Sequence, residues 1–189
     1  MKTWTVTAAV TAALALTACG ETSSTNVSTA AGIANTDAGP TAAPASAGSV
    51  QIAGDGLTVA GKPVAFGTAR ADALKAISAG MGGAPEKQDS LEDCGPSPLA
   101  SASWNKGLQV YFQEDKFVGW SGAVDLKTAK GIGFGSPRSA LEAAYHPRIE
   151  QTSLGTEFTT DDGLSGTLDS DARDAAVGDV WAGMTCVMR

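Results

Sequence analysis

Histidine occurs once in these 189 residues, cysteine three times, and Lys plus Arg are outnumbered by Asp plus Glu, 13 against 20. Each scarcity closes off a class of chemistry. A Ser-His-Asp or Cys-His arrangement has to pass through His146, because such a set needs an imidazole as its base. His146 stands beside Pro147 at the end of a helix-like segment, where an imidazolium merely complements the helix dipole. No Gly-x-Ser-x-Gly elbow is present; Gly119-Trp120-Ser121-Gly122 misses it by register. Zinc-ligand spacing is missing too, since there is no Cys-x-x-Cys and a lone histidine completes no set. A formal net charge of −7 leaves no basic face for nucleic acid and no polybasic patch for an anionic membrane. Long hydrophobic runs are also absent. Val6 to Leu16 falls short of the roughly 20 residues that span a bilayer.

That short run has the layout of a secretory signal: one basic residue, Lys2, an apolar stretch, then small residues before a cysteine. A cleaved, soluble export signal fits its charge and length. Its last four residues, Leu16-Thr17-Ala18-Cys19, resemble the lipobox of bacterial lipoproteins. The resemblance implies that residues 1–18 are a removed signal peptide and that Cys19 carries palmitate-type acyl chains at the mature N-terminus. Each buried CH₂ contributes about 0.8 kcal/mol, so several chains on one cysteine hold where a single chain does not. Gly20 stands where the family's inner-membrane retention signal has Asp. The implied location is the cell envelope, lipid-anchored and extracytoplasmic. That means the outer membrane in a Gram-negative cell, or the outer face of the plasma membrane in a Gram-positive one.

Beyond Cys19, residues up to 49 are nearly all Ala, Thr, Ser, Gly and Pro, with only Glu21 and Asp37 charged. Such a segment buries too little apolar surface to offset its ordering entropy and reads as a disordered tether. Its typical end-to-end distance is about 30 Å. Residues 50–189 then form a single domain of ordinary size. With Cys19 lipidated, Cys94 and Cys186 remain, and an even pair in an exported protein reads as one disulfide. Two separate buried thiols are the alternative. A closure over so long a loop is worth about 4 to 5 kcal/mol in the chain-entropy model.

The domain contains an echo. Phe66-Gly67-Thr68-Ala69-Arg70 recurs as Phe134-Gly135-Ser136-Pro137-Arg138, and each copy opens a helix-like segment. Thr68 and Ser136 occupy N-cap positions in this reading, and Pro137 the first helical position. Ala73 with Ile77, and Leu141 with Tyr145, give each helix one apolar stripe. Gly80, Gly82 and Gly83 end the first, and His146-Pro147 the second. Strand-like stretches follow each helix: Ala102 to Trp104, Leu108 to Phe112 and Phe117 to Ser121, then Thr156 to Thr159, Leu164 to Leu168 and Val180 to Val187. In the last of these Cys186 shares an inward face with Val180. The expected fold is α+β, with two pseudo-repeats, 57–121 and 128–187, of a short helix followed by antiparallel strands. They would make one sheet with helices packed on one face.

The phrase Phe-Gly-x-x-Arg, followed by a short helix and a Gly, resembles the opening of each half of the β-lactamase inhibitor protein fold. The BamE-type outer-membrane assembly lipoproteins have a similar helix-helix-strand unit. In the inhibitor proteins each half carries its own cysteine pair, whereas here each half contributes one cysteine. No inhibitory contact residue of that family maps onto this chain by motif.

Three further features invite a functional reading. Gly131-Ile132-Gly133-Phe134-Gly135-Ser136 precedes a helix, but the Lys of a phosphate loop and the third Gly of a dinucleotide fingerprint are missing. Asp169, Asp171 and Asp174, near Asp161-Asp162, form the most acidic stretch. Without EF-hand spacing, and with Arg173 in its midst, it reads as a solvated loop, metal binding being the sharper alternative. Trp104, Tyr111, Trp120 and Trp181 lie on expected strands and alternate between faces, so a face left uncovered would present aromatics for binding. The sequence therefore points to a non-catalytic lipoprotein, without cofactor or metal, that binds a protein partner in the envelope and no nucleic acid. A small-ligand or cell-wall-glycan receptor is the second reading, and a hydrolase built on the acidic stretch the third.

Overall fold

The computed structural model describes residues 49–94 and 97–186. The expected signal peptide (residues 1–18), the expected acylation site Cys19 and all but the last residue of the expected tether lie outside the described residues. Among the described residues, no helix is long and apolar enough to cross a membrane.

The chain opens with three four-residue strands, β1 (Val50–Ala53), β2 (Gly56–Val59) and β3 (Lys62–Ala65), paired antiparallel in that order. Val59 pairs with Lys62, so Ala60 and Gly61 alone make the second turn, at φ 49° and 76°. Positive φ at both central residues matches the twist of the flanking strands. Val50, Ile52, Leu57, Val59 and Val64 are buried and alternate with more exposed neighbours along most of this sheet.

Eight further strands form one antiparallel sheet. They are β4 (Lys87–Leu91), β5 (Leu99–Ser103), β6 (Leu108–Gln113), β7 (Lys116–Gly122), β8 (Arg148–Thr152), β9 (Gly155–Thr159), β10 (Leu164–Leu168) and β11 (Val177–Gly183). Their order is β4-β5-β6-β7-β11-β10-β9-β8, two meanders joined where β7 pairs with β11. The two helices are α1 (Arg70–Met81) and α2 (Arg138–Tyr145).

This corrects the expected fold class. Among the described residues the protein is mostly β, an eight-stranded sheet plus a three-stranded sheet with two α-helices, and not a helix-plus-strand repeat with helices layered on one face. The reason lies in what each element buries. Helix α1 buries only Ala73 and Ile77, and α2 only Leu141, too little to seal eight strands. The three-stranded sheet, built from residues with no assigned role in the expected repeat, takes a share of the covering. The Trp120 indole N–H on β7 donates to the Ala53 carbonyl at 2.9 Å, and the Ile52 amide to the Lys127 carbonyl at 3.2 Å.

The echoed pentapeptides correspond to a backbone clasp. Gly67 N–H donates to Phe117 O (2.7 Å), Phe117 N–H to Thr68 O (2.9 Å) and Arg70 N–H to Asp115 O (2.8 Å). In the second copy Gly135 donates to Val177 O (2.7 Å), Val177 to Ser136 O (2.8 Å) and Arg138 to Ala175 O (2.8 Å). Each clasp lashes the approach to a helix onto the start of a central strand. Gly67 and Gly135 sit at φ 90° and 73°, which a side chain disfavours. The expected caps do not form. Each helix begins one residue later than expected, Ala69 and Pro137 stand at the N-cap positions, and neither helix has a side-chain cap. Thr68 instead donates its hydroxyl to Ala65 O at 2.7 Å, and the Ser136 hydroxyl accepts from Gly133 N–H at 3.1 Å.

The core face of the large sheet carries Ala102, Val110, Trp120, Ala182 and Leu164 in one register row. Phe112, Phe117 and Phe158 fill the remainder. Gly166 on β10 allows the Phe158 ring to lie across it, since a Cβ there would sit 2.6 Å from ring atoms. The outermost strands, β4 and β8, are largely polar and carry the ion pairs Lys87–Asp89 (2.9 Å) and Arg148–Glu150 (3.4 Å). Charged edge strands discourage pairing with another chain.

Candidate functional site

Antiparallel partners project to the same side of a sheet. The side away from the core is therefore read from a single register row: Lys87, Ser103, Gln109, Ser121, Trp181, Ser165, Thr159 and Arg148, one residue from each of the eight strands. Seven of the eight are polar or charged. The exception, Trp181, stands near the middle on β11.

Trp181 borders two grooves. The larger, about 570 Å³, is lined by Gln109, Tyr111, Ser121, Thr167, Asp179 and neighbours, including Leu154 from the β8–β9 turn. A turn at one edge of the sheet thus reaches residues of β6, which requires the sheet to curve around the groove. The smaller, about 190 Å³, is lined by Arg148, Glu150, Glu157, Thr159 and Ser165. Tyr111 and Ser121 share a hydrogen bond between hydroxyls at 2.9 Å, and Thr167 Oγ1 accepts the Asp179 amide at 3.1 Å. These bonds fix the floor without consuming the Asp179 carboxylate.

A strap bounds the larger groove. Strand β11 ends at Gly183, and the Met184 amide donates to Val118 O at 2.8 Å. A Cβ at Gly119, which opposes Tyr111 on the outer side, would collide with the Met184 carbonyl. The chain therefore runs close over β7 before Cys186 meets Cys94, beyond the end of β4. Their Cα atoms are 5.3 Å apart, within disulfide geometry. The expected last strand stops at Gly183, short of Cys186. Cys186 lines the outer groove instead of pointing into the core with Val180.

The four aromatics singled out from the sequence divide between the two sides. Trp104 and Trp120 belong to the core, their indole N–H groups donating to Gly83 O (3.0 Å) and Ala53 O (2.9 Å). Tyr111 and Trp181 lie outside that cluster and border the groove, although only 3% and 8% exposed. Gln109, Ser121, Thr167 and Asp179 join them; alternation with apolar or small neighbours along β6, β7, β10 and β11 was the signal that could have found them.

The remaining candidates lie elsewhere. His146 is the C-cap of α2 at φ 48°. The Gly131–Ser136 loop turns its polar groups inward: Lys127 Nζ donates to Phe134 O (2.7 Å) and Ser136 Oγ (3.2 Å). Asp169 accepts the Ala176 amide at 3.0 Å, and Arg138 binds the Asp171 carbonyl at 2.9 Å. Among the described residues no group of three His, Cys, Asp or Glu side chains is placed to hold a metal. Burial pushes the Tyr145 phenol up, a hydrogen bond with Thr128 opposes this, and the Asp162 charge adds to it.

No family model, curated protein or solved structure matches this chain.

Proposed function

We propose that the protein is a membrane-anchored extracytoplasmic lipoprotein, a non-catalytic module that binds a protein partner in the cell envelope. One observation carries the binding part. The elements that build the core leave the outer side of the eight-stranded sheet with two grooves meeting at Trp181. A concave face with a partly sheltered aromatic ringed by hydrogen-bonding groups is the usual anatomy of an interaction centre. The anchoring part is supported by Leu16-Thr17-Ala18-Cys19 and the charge-poor segment after it. On this account the acyl chains hold the protein at the membrane and the tether gives the domain reach.

The size of the larger groove favours a second reading, since pockets of about 300–1,000 Å³ hold small ligands. A cell-wall glycan fragment would pair its hydroxyls with Gln109, Ser121, Thr167 and Asp179. Crosslinking in intact envelopes separates the two. Wild type should capture a protein partner, and Trp181→Ala, still folded by circular dichroism, should lose it. Saturable binding of a glycan fragment at the groove, with no captured protein, would favour the second reading.

A further inference from the structure

We infer that the Cys94–Cys186 bond is a redox latch on the outer side of the large sheet. A dithiol reductant opens it with the sheet still folded and frees the strap. A second apolar patch, Leu99 with Tyr111, then joins the outer face. The latch stands on the cysteines and the strap alone, whichever partner the face takes.

Side chains two apart on a strand share a side. Ser103 and Gln109 belong to the outer row, so Ser101 and Leu99 on β5 and Tyr111 on β6 project outward too. None of the three belongs to the core cluster. They are nonetheless 0%, 0% and 3% exposed, so chain on the outer side covers them. Two segments reach them. The Gln113 side-chain amide, two residues beyond Tyr111, donates to Ser97 O at 3.5 Å, which brings the β4–β5 connection back toward β6. From the other flank the Met184 carbonyl lies where a Gly119 side chain would be, opposite Tyr111, and Cys186 borders the groove with Tyr111. The bond from Cys186 to Cys94 joins these two flaps into one cover.

Apart from that bond the cover is lightly fastened. Among the described residues, the one backbone hydrogen bond tying residues 184–186 to the sheet runs from Met184 N–H to Val118 O at 2.8 Å. Glu92, Asp93, Ser97, Pro98, Gly183 and Met184 are all exposed, so the cover is thin. The Ser101 hydroxyl, sealed on the same side, has no hydrogen-bond partner among the described residues. Opening gives it water, which offsets part of the cost of exposing Leu99. Segments held this loosely open locally while the rest of a domain stays folded.

Opening is a thiol–disulfide exchange. Both cysteines are half-exposed and Cys186 borders the groove, so a thiolate reaches its sulfur from solvent. Attack on Cys186 Sγ breaks the S–S bond, forms a mixed disulfide and releases the Cys94 thiolate, which takes up a proton. The second thiol of the reductant, as its thiolate, displaces Cys186 and leaves as the reductant's own disulfide. Two electrons pass from the dithiol to the cysteine pair, and the two protons it gives up end on the two cysteine thiols.

The test uses methyl-labelled full-length protein in detergent, with dithiothreitol as the reductant and a soluble gadolinium chelate as the probe of exposure. Before reduction the Leu99 methyl signals should survive the chelate as those of Ile77 in the core do. After reduction, alkylation with peptide mapping should find Cys94 and Cys186 both free, with the Leu99 signals lost and those of Ile77 kept. The double variant Cys94→Ser, Cys186→Ser should lose the Leu99 signals without reductant while its circular dichroism matches wild type. Leu99 still shielded once the bond is gone, in either protein, overturns the latch. Loss of Leu99 and Ile77 signals together also overturns it, because the bond then holds the whole fold and not a cover. A bond that dithiothreitol leaves intact in the folded protein, or either cysteine alkylated before reduction, does the same.

Discussion

Ser101 on β5 opposes Tyr111 and is fully buried, yet its hydroxyl has no hydrogen-bond partner among the described residues. A buried hydroxyl left unpaired costs about 1–3 kcal/mol. Ser101→Ala should therefore raise the unfolding free energy by about 1 kcal/mol, measured by urea titration; a loss of stability would mean the hydroxyl has a partner. Tyr145 gives a second residue-level expectation. Its phenol titrates above the ordinary value of 10.0 because burial disfavours the phenolate. The folded state thus holds this proton more tightly than the unfolded chain. The stability this adds is complete below the unfolded-state value and disappears as pH rises through the folded one. Unfolding free energy should decline in that alkaline window, and Tyr145→Phe should flatten the decline. A wild-type profile that stays level there would contradict the shift.

Strands and connections decide how the outer face is bounded. The strap over β7 depends on Gly119 having no side chain, because the Met184 carbonyl occupies that space. Gly119→Ala should displace residues 184–186, seen as faster amide exchange at Met184, whose N–H is bonded to Val118 O at 2.8 Å. Unchanged exchange would show that the strap does not lie where Gly119 places it. The sequence made some elements plain and hid others. Strands at Leu108–Gln113 and Leu164–Leu168 were legible because apolar and small residues alternate at period two. Residues 50–65 carry a readable strand signal, because Val50, Ile52, Leu57 and Val59 alternate with other residues around glycine-bearing turns. Strands β4 and β8 offered no such pattern. Lys87-Gln88-Asp89-Ser90-Leu91 and Arg148-Ile149-Glu150-Gln151-Thr152 are mostly polar because edge strands are exposed. The Phe-Gly-x-x-Arg echo was legible as a repeat, but its meaning was a clasp and not a capped helix. Tyr111 and Trp181 stood out as aromatics; their separation from Trp104 and Trp120 depended on strand pairing between distant segments.

For the molecule as a whole, Cys94, three residues past the end of β4, meets Cys186 in the C-terminal strap across a sequence separation of 92. Closing a loop of that length restricts the unfolded chain most. The double variant Cys94→Ser, Cys186→Ser should lose about 2–5 kcal/mol of stability on chemical denaturation. Equal stability would indicate that the two cysteines do not bond in the native protein. Membrane attachment is a separate matter of the N-terminal residues. Cys19→Ser should move the protein from the membrane fraction to the soluble fraction, and a variant that stays with the membrane would refute acyl anchoring.

Photo-crosslinking in intact cells tests the binding face most directly, with a photoreactive residue at Thr159, exposed in the smaller groove, or at Lys75, exposed on α1. The account predicts a discrete protein adduct from position 159 and none from position 75. Equal labelling from both positions, or an adduct from 75 alone, would contradict it.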